Sequence, residues 1–273
     1  MEPVKLEPKN TESKNTEQDK LKKRRRGVYL LPNLFTTFGL FAGFYAIISA
    51  SNGKFTPAAI AIIIAMILDG VDGRVARMTN TQTDFGAEYD SLADMVSFGI
   101  APALVVYEWS LKSMMSLGPE LAKLGWLAAF FYAAMAALRL ARFNVQTDTI
   151  DKRYFRGLPS PAAAGLVISF IWVCESLGWA ELKGSEVWLY SLIFTIAAGS
   201  LMISPIFYNS FKDKNREEKI PFRGAAAIVL VLVLVIINPP VVLFGVFFLY
   251  AFSGPVLSVL RWSQKKKMQD TPE

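Results

Sequence analysis

The chain has 273 residues, 53 % of them hydrophobic, with 29 Lys and Arg against 23 Asp and Glu, a formal charge of +6, no His and one Cys. Several separate apolar runs reach the roughly 20 residues that a membrane-spanning helix needs, which argues against a soluble core. The lone Cys174 excludes an intrachain disulfide and a cysteine metal cluster, and within its apolar run it reads as a small buried hydrophobe.

Residues 1–26 are polar, lack aromatics and end in Lys20-Leu-Lys-Lys-Arg-Arg-Arg26, which reads as a disordered basic tail. The apolar run that follows is too long for a signal peptide, and no small-residue cleavage site stands out. Beside a spanning helix the basic cluster is expected to set topology and touch anionic lipid rather than bind nucleic acid.

Helices are expected at 29–50, 57–77, 87–110, 121–143, 160–180, 186–208, 223–238 and 240–260. This is an all-α integral membrane protein of about eight spans. Asn238-Pro239-Pro240 marks either a tight turn or a break between the last two. The sequence divides into the tail, a membrane domain over 27–210, a loop at 211–222, two additional helices within 223–262 and a second basic tail at 263–273. Eight spans put both termini on one side. With that side cytoplasmic, only Lys54, Lys112, Lys123 and Lys183 lie at or near the outer face, and the other 25 of the 29 Lys and Arg lie inside. The positive-inside rule predicts that asymmetry. Trp109, Trp126, Trp172, Trp179, Trp188 and Trp262 mostly fall at span ends, as an interfacial belt requires. No internal repeat and no Gly-rich phosphate loop stand out.

The second and third expected helices carry the chemistry. Pro57–Leu68 is apolar, yet Asp69, Asp72, Asp90 and Asp94 follow directly. A carboxylate within a bilayer costs several kcal/mol and marks a functional site by default. Asp69 and Asp72 share a helix face, and so do Asp90 and Asp94. With those faces together, four carboxylates enter one small volume, where they stay ionised only beside cations. Oxygen-only ligands select hard ions such as Mg²⁺, Mn²⁺ or Ca²⁺ over Zn²⁺. Gly70, Gly73 and Gly86 each cost roughly 1 kcal/mol relative to Ala within a helix. Close approach of a second helix or of a ligand offsets that cost. Arg74 and Arg77 add positive charge suited to phosphate. A purely structural Asp–Arg network and ordinary glycine packing in membranes are the competing explanations for single residues.

Asp69, Asp72, Gly73, Ala76, Arg77, Gly86, Asp90 and Asp94 match D-x-x-D-G-x-x-A-R-x(8)-G-x-x-x-D-x-x-x-D at all eight specified positions. This stretch resembles the CDP-alcohol phosphotransferase family, whose core would be the first six helices. The resemblance implies transfer of a substituted phosphoryl group from a CDP-linked donor to an alcohol, with release of CMP. It implies metal ligation by Asp69, Asp72 and Asp90, with two Mg²⁺ or Mn²⁺ ions expected. Asp94 would act as general base with a possible metal contact, and Gly73, Ala76 and Arg77 would receive the CDP moiety. The role of Arg74 stays open. Family members are commonly dimers, so a homodimer is expected.

The acceptor is read from other segments. Leu31–Thr37, Ser91–Pro102, Arg139–Asn144 and Phe155–Pro161 are similar to the membrane-embedded phosphatidylserine synthases of bacteria over roughly 29–165, with weaker support from Tyr208–Lys212. That similarity implies CDP-diacylglycerol and L-serine as substrates, and a bacterial cytoplasmic membrane with the site facing the cytoplasm. Serine is a zwitterion, so its pocket needs a cation and hydrogen-bond acceptors. Arg139, Arg142, Asn144 and Ser97 are the candidates. Headgroup anchoring is an equal explanation for the arginines. Choline, glycerol 3-phosphate and inositol phosphate remain alternative acceptors. A cation transporter is a remote alternative, since acids midway along spans and paired repeats would be expected there.

Overall fold

A computed structural model describes residues 32–79, 81–145, 154–178, 187–209 and 222–269. The basic N-terminal tail and most of the 211–222 loop lie outside these residues. Eight long helices occupy the eight expected places: α1 (Pro32–Ser51), α2 (Phe55–Met78), α3 (Asp84–Trp109), α4 (Pro119–Val145), α5 (Ser160–Ser176), α6 (Val187–Ile203), α7 (Phe222–Ile237) and α8 (Pro239–Gln269). Five of them, α1 to α4 and α8, are long and apolar enough to cross a membrane, and α5 and α6 are shorter apolar helices. The chain is a multi-pass helical membrane protein.

Local chemistry sets the boundaries around the acidic motif. α2 ends where the Thr79 hydroxyl turns back to the Val75 carbonyl at 2.7 Å. α3 begins at Thr83, whose side chain accepts the Gly86 N–H at 3.0 Å as an N-cap. Within α3 the helix departs from regular α geometry before Pro102. Residues Met95–Ile100 make a π-helical turn, and Pro102 falls in the first turn of the α-helical segment that follows. Proline has no N–H for the carbonyl one turn back. The Phe98 carbonyl instead accepts a hydrogen bond from the fully buried Tyr132 hydroxyl of α4 at 3.1 Å.

Two findings differ from the sequence reading. The stretch 111–120, expected as an outer loop, contains a 3₁₀ segment, Leu111–Leu117, with Leu111 and Met114 fully buried. The sixth helix stops at Ile203 rather than 208, because Pro205 cannot continue it. Phe207–Asn209 then pairs antiparallel with Tyr154–Arg156, in the register Phe155 to Tyr208. This short ribbon, β1 with β2, rests on α8, where the buried Tyr208 hydroxyl donates to the Ala251 carbonyl at 3.0 Å.

α5 runs through the centre of the bundle, with Ala163, Ala164 and Ile168 fully buried. The last two helices have different surroundings. The side chains of Val229–Leu234 in α7 are exposed. α8 belongs to the core: Phe244 and Phe248 join Phe170 and Phe194 in an aromatic cluster, and the Phe247 ring occupies the space a Cβ on Gly165 would need. The Asn238 junction is a one-residue break between two helices that touch. α8 also continues to Gln269, so the backbone of most of the expected 263–273 tail is helical.

Gly157 joins the ribbon to α5. Its φ is +86°, and a Cβ there would collide with the Met202 carbonyl oxygen. Both the backbone conformation and the space require glycine. Gly157→Ala should destabilise the protein by roughly 1–3 kcal/mol, read as a lowered melting temperature in detergent. A melting curve unchanged from the parent would contradict this account of the junction.

Candidate metal and substrate site

Three helices meet at the acidic motif. α2 contributes Asp69 and Asp72, α3 contributes Asp90, Asp94 and Ser97, and α1 contributes Thr36 and Gly39, all lining one small cavity. One carboxylate oxygen from each of Asp69, Asp72 and Asp90 lies within 4.8 Å of the other two. Asp94 faces the same cavity without joining that trio. Asp72 is the most enclosed, at 4 % exposure, and its Oδ2 lies 2.7 Å from the Thr36 hydroxyl of α1. That hydroxyl also lies 3.1 Å from the Pro32 carbonyl, but has one proton to give and is nearer the carboxylate.

The arrangement suits a hard divalent cation. The converging donors are all oxygens, they come from two separate helices, and their like charges at this range require positive charge between them. Thr36 takes one Asp72 oxygen, which leaves the other for a cation. Thr36 lies in the Leu31–Thr37 segment that opens the first span, with no role assigned to it there. The signal available was a threonine pair, Thr36-Thr37, just inside an otherwise apolar first span. Thr37 links α1 to α3 in turn, with its hydroxyl 2.9 Å from that of Tyr89.

The motif glycines divide by function. Gly86 is a close-approach position, where a Cβ would come 3.4 Å from Asn33 Oδ1 of α1 and 3.1 Å from Thr83 Oγ1. Around Gly70 a Cβ would meet nothing within 4 Å, and at Gly73 only the guanidinium of Arg77, at 3.9 Å. Open space beside helical glycines, with an arginine folded over one of them, leaves the α2 backbone accessible to a phosphate-bearing ligand. Ala76 is half-buried one turn away.

The four residues expected to receive the acceptor have diverse partners. Arg139, half-buried on α4, donates to the Ser160 hydroxyl at the start of α5 and lies over the Phe143 ring at 5.9 Å. Its charge acts on Asp94. Arg142 instead donates to three carbonyls: Ile203 at 3.1 Å, Met202 at 3.1 Å and Arg156 at 3.2 Å. It ties the end of α6 to the ribbon. Asn144 bonds Ser91 of α3 at 3.0 Å. Ser97 is 2 % exposed and donates to the Gly39 carbonyl at 3.1 Å, pinning α3 against α1.

The bundle thus carries an acidic, oxygen-only cluster with open helix backbone beside it. Residues 29–203 match the family model described as CDP-alcohol phosphatidyltransferase, and the chain belongs to that family. Among its relatives, the CDP-diacylglycerol–serine O-phosphatidyltransferase of Helicobacter pylori is 40 % identical over 185 residues, covering 68 % of this chain and 74 % of the relative. The enzyme of the same name from Mycobacterium bovis is 40 % identical over 186 residues, covering 66 % of this chain and 61 % of the relative. That from Methanocaldococcus jannaschii is 33 % identical over 189 residues, covering 69 % and 78 %.

If Thr36 fixes the Asp72 carboxylate, Thr36→Val should weaken Mn²⁺ binding roughly 10- to 150-fold, the worth of about 1.5–3 kcal/mol for a hydrogen bond to a charged group. Thr36→Ser should stay near the parent. Electron paramagnetic resonance of free Mn²⁺ measures both; equal affinity in parent and Val variant would remove Thr36 from the site.

Proposed function

We propose that this protein transfers the phosphatidyl group of CDP-diacylglycerol to the hydroxyl of L-serine, forming phosphatidylserine and releasing CMP. The observation that carries the reading is the convergence of Asp69, Asp72 and Asp90 beside the open backbone at Gly70 and Gly73. The names of the relatives support the donor and the acceptor.

Asp69, Asp72 and Asp90, with a contact from Asp94, would hold two divalent ions, Mg²⁺ or Mn²⁺. Bound there, such ions neutralise pyrophosphate charge and stabilise the leaving phosphate. The protein itself supplies positioning and proton handling, which is most of what phosphoryl transfer asks. Gly73 and Ala76 admit the CDP moiety against α2, and Arg77 faces its phosphates. Asp94 accepts the proton of the serine hydroxyl as its oxygen attacks the phosphatidyl phosphorus. The bond from that phosphorus to the CMP oxygen breaks, and CMP departs with the electron pair. Arg139, placed to act on Asp94, is the cation for the serine carboxylate. Arg142 and Asn144 hold the β ribbon and α3 around that pocket, and Ser97 shapes its floor by fixing α3 to α1.

The transferase unit of this reading comprises 27–210 together with α8, whose aromatic packing closes the bundle. It works as a homodimer in the bacterial cytoplasmic membrane, with both termini and the acidic site toward the cytoplasm, where a nucleotide-bearing donor and serine meet it. The excess of Lys and Arg on that side supports the orientation.

Purified protein with CDP-diacylglycerol and Mg²⁺ or Mn²⁺ should release CMP with L-serine and not with choline, glycerol 3-phosphate or inositol phosphate. Chelation should abolish release, and metal should restore it. Asp94→Asn should lose at least a hundredfold in turnover, a general base being worth about 10²–10⁴, with donor binding largely intact. Asp69→Asn and Asp90→Asn should weaken metal-dependent donor binding instead. Equal loss of donor binding and turnover in Asp94→Asn would remove it as the base, and CMP release driven by another alcohol would overturn serine as the acceptor.

A further inference from the structure

Beside the acidic site, α1 and α2 diverge to leave an apolar groove of about 500 Å³. Its floor is small and buried, formed by Ala42 and Ala61, and its walls include Phe41, Tyr45 and Ile64, which are half or more exposed or nearly so. The groove begins at Leu68, the residue before Asp69, and reaches Pro57. Eleven residues of helix rise about 16 Å at 1.5 Å each. One leaflet of hydrocarbon is about 15 Å deep, half the roughly 30 Å core of a bilayer.

We propose that this α1–α2 groove holds one acyl chain of the diacylglycerol donor. The inference rests on the proposed function and adds to it the subsite that reads the lipid tail. Three observations favour this occupant over a helix of a second copy. The groove ends at Leu68 and Phe38, each one residue from a residue that lines the carboxylate cavity, Asp69 and Gly39, where the donor's phosphate would be. Its length is that of a single chain in one leaflet. Its floor of alanines is narrow, with aromatic and branched walls, and so matches a flexible methylene chain better than a ridge of side chains. The apolar lining gives nothing for a nucleotide or an amino acid to bond. Ala61 then sets how much chain the groove accepts, and the binding of a long-chain donor draws on apolar burial absent for a short one.

The test compares kcat/KM for a dioleoyl donor in mixed micelles with that for a water-soluble dihexanoyl donor, serine and metal being held constant. Ala61→Phe fills the floor and should lower the long-chain value at least tenfold while changing the dihexanoyl value less than threefold. Ile64→Trp, at the exposed rim, narrows the groove without touching buried packing and should shift the ratio in the same direction by about threefold or more. It decides the matter if Ala61→Phe does not fold. An unchanged ratio of the two donors overturns the assignment. So does a changed oligomeric state at constant ratio, which would give the groove to a second copy. The proposed function fails separately, through absence of serine-dependent CMP release from either donor by the parent protein.

Discussion

Repulsion among the carboxylates of α2 and α3 is the constraint around which the rest of the bundle is built. Asp69, Asp72 and Asp90 bring oxygens within 4.8 Å of one another at the end of apolar helices. An arrangement of that kind is unfavourable without positive charge among the oxygens. The neighbouring structure holds the helices there regardless. Thr83 caps α3, Ser97 ties it to the α1 backbone, and a Cβ on Gly43 would come within 2.6 Å of the Ser97 hydroxyl oxygen. The two helices are therefore fixed by packing that does not itself depend on the cluster, and the site is organised before any ligand arrives.

The same economy governs the second half of the site. Pro102 would leave the Phe98 carbonyl without its α-helical partner, and the Tyr132 hydroxyl supplies a donor across to α4. That bond fixes the helix that carries Arg139 relative to the one that carries Asp94. Arg142, one turn further along α4, holds the carbonyls at the end of α6 and the ribbon with a single guanidinium. Two arginines three residues apart thus have different partners, one the Ser160 hydroxyl at the start of α5 and the other the carbonyls of the frame. Guanidinium geometry permits this division because its several N–H groups can serve separate carbonyls.

The acidic site was largely legible because each of its parts is a local signal. Aspartates in an apolar run stand out individually, and i, i+3 and i, i+4 spacing states which of them share a face. All eight helices were legible for the same reason. What could not be read depends on pairs distant in the chain. Thr36 meets Asp72 across 36 residues, and the β ribbon joins Phe155 to Tyr208. Nothing in Arg139-Leu-Ala-Arg142 distinguishes the arginine that bonds Ser160 from the one clamping carbonyls, since both lie on one helical face. The integration of α8 into the core was likewise hidden, because an apolar helix against lipid and one against protein have similar composition.

The central claim is that the carboxylates of α2 and α3 exist to hold divalent cations. Anomalous X-ray scattering from crystals equilibrated with Mn²⁺ tests it most directly, because it locates the metal without reference to turnover. Density for Mn²⁺ bounded by Asp69, Asp72 and Asp90 is the predicted result. An anomalous map empty at those three carboxylates, at Mn²⁺ concentrations that support CMP release, would contradict the account.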